Sequence, residues 1–187
     1  MGRPKLLLPY QGTTILGRLI HALSAPQIAA CCVVIRSDDV ALRAEAEQHG
    51  TWLIQPAVDP PEMRTSVEIA LTEIEQRYHP LESEGWLLIP ADHPLLSRPV
   101  LEEMLTVWNQ SQADILVPTY HGQRGHPTLF RWSMVSAIRA IPPEHGLNWL
   151  LKHQPDRVVE WPCDHAEVTL DLDTPEDYAR LLRDENL

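Results

Sequence analysis

Apolar residues in the first half of the chain occur in short continuous runs that are separated by helix-like stretches. The continuous runs predict strands at residues 31–35, 52–54 and 86–89. Residues 13–23 carry apolar positions at helical spacing after a capping Thr13-Thr14, and further helices are expected at 37–50 and from about residue 65. This order predicts an α/β fold, a three-layer sandwich around a mostly parallel, Rossmann-like sheet.

The second half of the chain continues this pattern. A helix is expected to begin at Ser97-Arg98-Pro99, with four apolar residues on its inner face: Leu101, Met104, Leu105 and Trp108. Further strands are expected at 115–117, 157–161 and 168–170, with a turn at 120–125. No internal repeat or linker interrupts the pattern, so residues 1–187 are expected to form one domain.

Composition excludes several classes of protein. The formal net charge of −11 argues against a nucleic-acid partner, although a local cluster of cations can still bind a small anion. The three cysteines predict no disulfide framework, and the pair Cys31-Cys32 is expected to lie buried in a strand. The chain shows neither a signal peptide nor an apolar run long enough to span a bilayer, so a cytoplasmic protein without a membrane partner is expected.

Lys5 is the first residue to which the pattern assigns chemistry. It lies between two prolines, Pro4 and Pro9, which predict an extended loop rather than the first turn of a helix. An ammonium held near a sheet edge suits a triphosphate, which it meets as a point charge. The alternative is an ordinary N-terminal arm with an exposed lysine.

Three aspartates, Asp92, Asp171 and Asp173, follow predicted strands. Asp92 follows the strand at 86–89, and ligands of open α/β sheets bind at the carboxyl ends of strands. Its alternative role is a turn residue or a helix cap, and His93 lines the same loop. Alternation along an extended chain places Asp171 and Asp173 on one side after the strand at 168–170. The next residues, 174–177, have the features of a helix start and are assigned no chemistry.

Four segments together resemble the MobA-like nucleotidyltransferases, most closely the molybdenum cofactor cytidylyltransferase branch. They are residues 1–9 (MGRPKLLLP), 90–94 (PADHP), 124–127 (RGHP) and 171–177 (DLDTPED), in that order along the chain. The resemblance implies transfer of a nucleoside monophosphate from CTP or GTP to molybdopterin, with release of pyrophosphate. It further implies Mg²⁺ bound by Asp92 and Asp173, with Asp171 beside them, and Lys5 as the residue that stabilises phosphate charge.

The resemblance also implies a set of nucleotide- and substrate-binding residues: Arg3, Lys5, Thr65, Ser66, Arg124, Gly125 and His126. Thr65 and Ser66 have helix capping as their alternative role. The segment 124–126 has a hairpin turn with solvated side chains as its alternative. Glu62 stands where the family usually has glycine, which places a carboxylate where backbone normally approaches the ligand.

One departure from the family leads to different expectations of function. Family members carry a strand and a loop of the form LAAGxSxR before the segment that this sequence opens with, so the chain as written is expected to lack a central strand and to be poorly active. The alternative functions are a non-catalytic relative that binds the pterin or a molybdoenzyme partner, and a nucleotidyltransferase with another phosphorylated small molecule as acceptor.

Overall fold

The computed structural model of the protein describes residues 4–93 and 95–184. The strands are β1 (Pro9–Tyr10), β2 (Thr13–Thr14), β3 (Cys32–Val34), β4 (Trp52–Ile54), β5 (Gly85–Leu88), β6 (Ile115–Tyr120), β7 (Gln123–Arg124), β8 (Thr128–Arg131) and β9 (Val158–Pro162). The helices are α1 (Ile15–Ala22), α2 (Val40–Gln48), α3 (Met63–Tyr78), α4 (Arg98–Gln110), α5 (Val135–Arg139), α6 (Asn148–His153) and α7 (Pro175–Asp184).

These strands form three groups. β1 and β2 make a short antiparallel hairpin, and β3 and β4 make a parallel pair. The third group is a five-stranded sheet in the order β5-β8-β6-β7, with β9 parallel to β6 and β8 antiparallel to both of its neighbours. The expected α/β architecture is confirmed, and its sheet is mixed.

Helices cover both faces of the five-stranded sheet. Leu116 and Leu129 pack in one apolar cluster with side chains of α1 and α4, including the four inner-face residues expected for α4. The adjacent residues of the same strands, Ile115 and Phe130, belong to a second cluster with side chains of α3, α5 and α6. Because successive side chains of a strand point to opposite faces, the two clusters lie on opposite faces of the sheet. The sheet and the helices on its two faces form a three-layer sandwich.

A threonine caps the N-terminus of α1, as the sequence predicts. The Thr14 side chain accepts a hydrogen bond from the Gly17 backbone N–H at 2.9 Å, which satisfies one of the unpaired amides of the first turn. Its apolar face is buried at Ile15, Leu16, Leu19 and Ile20. This burial confirms the amphipathic helix expected for the segment.

Two local predictions are wrong. Residues 166–169 form a 3₁₀ helix rather than a strand, because the Val168 N–H bonds back to the His165 carbonyl at 3.3 Å and the Thr169 hydroxyl bonds to the Ala166 carbonyl. Lys5 begins a 3₁₀ turn, Lys5–Leu7, rather than lying in an extended loop. Pro4 precedes this turn without disrupting it, because the first residues of a helix need no amide partner.

The described part of the chain also bears on the membrane prediction. None of the helices within residues 4–93 and 95–184 combines the length and the apolar character that crossing a bilayer requires.

Candidate active site

Two loops that are distant in sequence meet at the carboxyl end of β5. The chain leaves β5 through Pro90 and reaches Asp92, whose backbone carbonyl accepts a hydrogen bond from the Leu172 N–H at 2.9 Å. Leu172 is only 1% exposed, so its side chain anchors this segment in an apolar cluster with residues of α1 and α7. The backbone hydrogen bond therefore holds the 171–173 segment beside the Asp92 loop.

The meeting of these loops brings two carboxylates to one cation. The Lys5 ammonium donates to Asp92 Oδ2 at 2.9 Å and to Asp173 Oδ1 at 3.0 Å. The side chains of Lys5 and Asp92 are about 30% exposed, whereas that of Asp173 is 63% exposed. The three groups form a partly exposed ion cluster, which we call the Lys5 cluster.

Electrostatics in the Lys5 cluster favour the charged lysine. Burial by itself would lower the pKa of Lys5, but the hydrogen bonds and the negative charges of Asp92 and Asp173 outweigh it, so the pKa is raised. One ammonium against two carboxylates leaves one net negative charge. The cluster can therefore attract a further cation.

The donor set of the Lys5 cluster fits a hard divalent ion with few protein ligands. Two carboxylates from separate loops, completed by water, are sufficient for Mg²⁺. Within the described residues no group of three or more His, Cys, Asp or Glu side chains is arranged to hold a metal. Because the Lys5 ammonium bonds to both Asp92 and Asp173, a divalent ion can bind the two carboxylates together only if the ammonium moves away. The flexible stem of the lysine permits this movement.

Asp171 is not one of the two carboxylates that pair with Lys5. Its exposed side chain lines a small cleft with Leu95 and Arg180. Residues 171–173 belong to no strand, but the exposure of Asp171 and Asp173 on either side of the buried Leu172 agrees with the alternation expected of an extended chain. The charge of Asp171 acts on the pKa of His93, so Asp171 contributes to the field of the site.

Two histidines, the buried His93 and the half-buried His126, form a pair next to the carboxylates. The rings of His93 and His126 meet edge to face with centroids 4.8 Å apart, and His93 is 7% exposed. Burial lowers the pKa of His93 and, with a further contribution from His93, lowers that of His126 to about 4. Both imidazoles are therefore neutral near pH 7, and the Nδ1 atom of each is buried without a hydrogen-bond partner among the described residues.

Gly125 is required by the approach of another backbone segment. A Cβ atom at this position would overlap the Val168 carbonyl, and the neighbouring His126 N–H donates to that same carbonyl at 2.7 Å. The Gly125 N–H donates to the Pro118 carbonyl at 2.9 Å. The glycine therefore allows the 166–169 turn to pack against the 124–127 segment, which aims the His126 ring at His93.

Arg124 is paired on the surface of the sheet. Its Nε donates to Glu160 Oε1 at 2.8 Å, across from β7 to β9, and both side chains are about half exposed. No hydrogen bond or ion pair is recorded between Arg124 and the Lys5 cluster within residues 4–93 and 95–184.

Thr65 and Ser66 lie in the first turns of α3. Neither caps the helix, since the N-cap is Glu62 and makes no side-chain capping bond, so the capping alternative is wrong. Thr65 lines an open groove with other side chains of α3 and not with the Lys5 cluster. Arg3, the remaining predicted binding residue, lies outside the described residues.

Two residues near these segments were not singled out from the sequence as functional. His93 stands beside Asp92, and its position in the 90–94 segment was the only available signal. Arg64 is 9% exposed, and its guanidinium bonds to Glu68 and to the carbonyls of Pro142 and His145. Arg64 thus ties α3 to the loop before α6, and no sequence pattern indicates that contact.

The sequence of this chain is similar to a known protein family and to a known protein. The chain matches the family model described as MobA-like NTP transferase domain over residues 1–160. The molybdenum cofactor cytidylyltransferase of Escherichia coli (strain K12) is 23% identical over 181 residues, covering 95% of this chain and 86% of that protein.

Solved structures extend the similarity to three dimensions. The crystal structure of Rv0371c from Mycobacterium tuberculosis H37Rv is 30% identical, with a TM-score of 0.78, and the match covers 98% of this chain and 91% of that chain. A manganese complex of Rv0371c from the same organism is also 30% identical, with a TM-score of 0.74, and the match covers 97% of this chain and 93% of that one. The shared fold therefore includes both the β3–β4 pair and the five-stranded sheet.

Proposed function

Because the chain belongs to the MobA-like NTP transferase family, we propose that it transfers CMP from CTP to molybdopterin, with Mg²⁺ and with release of pyrophosphate. The observation that carries the proposal is the meeting of Asp92 and Asp173 at the carboxyl end of β5, next to a lysine. The cytidylyltransferase of Escherichia coli supports the choice of CTP and of the pterin acceptor. The manganese complex of Rv0371c supports a divalent ion.

This reaction needs no nucleophile from the protein. A phosphate oxygen of the acceptor attacks the α-phosphorus of CTP, the bond from that phosphorus to the bridging oxygen of the β-phosphate breaks, and pyrophosphate carries away the electron pair. The protein must hold the two reactants in line and stabilise the charge that develops on the phosphate oxygens.

Each residue of the Lys5 cluster has a part in this scheme. Asp92 and Asp173 would hold the divalent ion, which when bound neutralises phosphate charge and orients the triphosphate. Lys5 would exchange its carboxylate partners for phosphate oxygens as the nucleotide enters. The raised pKa of Lys5 keeps its ammonium protonated while it pairs with the two carboxylates.

The neutral histidines suit a different part of the substrates. An uncharged imidazole can donate or accept one hydrogen bond at Nδ1, depending on its tautomer. The buried Nδ1 atoms of His93 and His126 therefore suit uncharged polar groups better than they suit phosphate. Arg124 can contact phosphate only if it releases Glu160.

A direct transfer assay tests the proposal. The protein is incubated with molybdopterin, Mg²⁺ and CTP labelled at the α-phosphate, and GTP is used in parallel. The expected result is labelled pterin dinucleotide and pyrophosphate from CTP, in larger amount than from GTP. Absence of labelled product with all four ribonucleoside triphosphates, from a protein shown to be folded, would overturn the proposal.

A second candidate function is a protein that binds the pterin, or a molybdoenzyme partner, without catalysis. The observation in its favour is that Lys5 pairs both carboxylates, and these ion pairs compete with ligation of a divalent ion. Calorimetry separates the two functions, because a binding protein takes up pterin without NTP whereas an enzyme binds Mg·CTP. A transferase for another phosphorylated acceptor would bind Mg·CTP but not pterin.

A further inference from the structure

Asp177 lies in the first turn of α7, and the proposed function gives it no role. Its Oδ2 atom accepts three hydrogen bonds: from the Thr174 N–H at 2.8 Å, from the Thr174 hydroxyl at 2.7 Å and from the Asp173 N–H at 3.3 Å. The Thr174 hydroxyl oxygen in turn accepts from the Asp177 N–H at 3.1 Å. One carboxylate oxygen therefore binds the backbone of the two residues that precede the helix.

Helix capping accounts for only part of this arrangement. The bonds between Asp177 and Thr174 are those of a capping box, in which the third helical residue reaches back to the residue before the helix. The bond from the Asp173 N–H goes one residue beyond the capping box. Because Asp173 belongs to the Lys5 cluster, this additional bond connects the start of α7 to the candidate metal site.

The backbone around Asp173 is held at two places. The preceding N–H, that of Leu172, donates to the Asp92 carbonyl at 2.9 Å, and the Leu172 side chain is buried. The Asp177 carboxylate then accepts from the N–H of Asp173 itself and from the N–H that follows. The Asp173 side chain is 63% exposed, so its own packing contributes little to its position. Its carboxylate is therefore placed mainly through its backbone.

The helix that carries Asp177 is itself fixed to the segment that follows Lys5. The Tyr178 hydroxyl donates to the Pro9 carbonyl at 2.6 Å. Leu181 is 5% exposed and packs in an apolar cluster with side chains of that segment. These contacts hold α7 in place, so the helix gives Asp177 a rigid base beside the Lys5 cluster.

Asp177 is not itself placed to bind a metal ion. Its Oδ2 atom accepts the three bonds described above, and its Oδ1 atom accepts from Arg180 Nη2 at 3.0 Å. Only 21% of its side chain is exposed. Because protein donors engage both carboxylate oxygens, Asp177 can act on the site only through the residues that it binds.

We propose that Asp177 is a positioning residue of the active site, which holds the Asp173 backbone so that the Asp173 carboxylate can share a divalent ion with Asp92. The inference rests on the proposed function, because that function makes Asp173 a metal ligand. Groups that hydrogen-bond to metal ligands orient them, and their loss lowers metal affinity or activity about 10–100-fold. Asp177 bonds to the backbone of the ligand rather than to its carboxylate, so we expect the lower end of that range.

Binding of Mn²⁺ to the protein without nucleotide tests the proposal, measured by electron paramagnetic resonance of free Mn²⁺. Asp177→Ala removes the hydrogen-bond acceptor and should weaken Mn²⁺ binding about tenfold. Asp177→Asn removes the same negative charge but keeps an oxygen that can accept from the two N–H groups. It should stay within about threefold of the unaltered protein, because solvent and salt screen the lost charge. The pair of variants therefore separates the positioning of Asp173 from the loss of a charge near a cation.

Two further variants control for a general effect of helix stability. Asp39→Ala removes the cap of α2, where Asp39 Oδ1 accepts from the Leu42 N–H at 3.0 Å, and should leave Mn²⁺ affinity unchanged. In an Asp173→Asn background, Asp177→Ala should cause no further loss, because the ligand that it positions is already gone. Where circular dichroism shows that Asp177→Ala does not fold, Asp177→Ser takes its place, because the shorter side chain cannot reach both N–H groups.

The outcomes distinguish this inference from the proposed function. If Asp173→Asn binds Mn²⁺ as tightly as the unaltered protein, Asp173 is not a ligand, and the metal site of the proposed function fails together with this inference. If Asp173→Asn weakens binding but Asp177→Ala does not, the metal site stands and the positioning role is overturned. Equal losses in Asp177→Asn and Asp177→Ala, or a further loss in the Asp173→Asn background, overturn the positioning role as well.

Discussion

Two basic side chains that the sequence assigns to phosphate, Lys5 and Arg124, lie in different electrostatic surroundings. Lys5 bonds to two carboxylates that come from separate loops, which leaves a net negative charge around it. Arg124 of β7 bonds to Glu160 of β9, and both of these strands pair with β6. This ion pair leaves no net charge. Because of this difference, we expect a divalent ion at the Lys5 cluster and not at the Arg124 pair.

The segment that carries Arg124 nevertheless contributes to the same site. His126 lies two residues further along the chain and packs against His93, beside Asp92. Gly125 allows this change of direction because the Val168 backbone lies against it. One short segment therefore reaches the surface of the sheet through Arg124 and the neighbourhood of Asp92 through His126.

The largest expected effect is on catalysis by the carboxylates. Asp92→Asn keeps the shape of the side chain and removes the charge, so CMP transfer should fall about a hundredfold or more. The assay is transfer of α-labelled CMP to molybdopterin at saturating Mg²⁺. Glu160→Gln, the matched change beside Arg124, should stay within about threefold of the unaltered protein. Equal losses in the two variants would remove the distinction between the two regions.

The next effect concerns the pH dependence of stability. Burial holds the pKa of His126 at about 4 in the folded chain, whereas the unfolded chain has an ordinary value of 6.5. Between these values the unfolded chain binds a proton that the folded chain does not. The contribution to stability is therefore complete above pH 6.5 and is lost as the pH falls toward 4.

His126→Asn should remove about 2 kcal/mol of this pH dependence, after allowance for partial exposure of the ring. The measurement is the free energy of unfolding in urea between pH 4 and pH 7, with a chelator present. His121→Asn, at an exposed position of the β6–β7 hairpin, is the matched control. A pH profile that is the same in the His126 variant and in the unaltered protein would contradict the burial argument.

A smaller effect is expected for metal affinity. Lys5 competes with a divalent ion for Asp92 and Asp173, so Lys5→Met should bind Mn²⁺ about tenfold more tightly in the absence of nucleotide. Transfer activity should decrease in the same variant, because the phosphate loses its cation. Electron paramagnetic resonance of free Mn²⁺ measures the affinity, and Arg124→Met should leave it unchanged. Weaker Mn²⁺ binding by Lys5→Met would show that the carboxylates do not ligate the metal together.

The sequence predicts the elements of this fold better than it predicts the contacts between them. Apolar runs and helical spacing identify β3, β4, β5 and α1 because these signals are local. The 3₁₀ helix at 166–169 has a strand-like composition at Val168-Thr169-Leu170, and its turn depends on local bonds that composition does not reveal. Local conformation was therefore mispredicted where hydrogen bonds within a few residues override strand propensity.

The same limit applies to the candidate site. Resemblance to the MobA-like family identifies Asp92 and Asp173 as metal ligands, and for Asp92 the position after a predicted strand adds support. The strand predicted before Asp173 is a 3₁₀ helix at 166–169. The meeting of Asp92 and Asp173 depends on the backbone bond between Leu172 and Asp92, which no spacing along the chain indicates. The pairing of His93 with His126 is likewise a contact between distant segments, so the sequence identifies the residue types and not their arrangement.

The smallest expected effect is on stability at the Arg124 pair. Both partners are about half exposed, and ion pairs of this kind contribute about 0–1 kcal/mol because water screens the charges and two long side chains lose freedom. Arg124→Gln should therefore lower the free energy of unfolding by less than about 1 kcal/mol, measured in urea at 0.15 M salt.

The same variant tests function separately: if Arg124 leaves Glu160 to bind the triphosphate, KM for CTP rises while stability hardly changes. An unchanged KM would confine Arg124 to the surface pair and leave Lys5 as the phosphate-binding cation of the two.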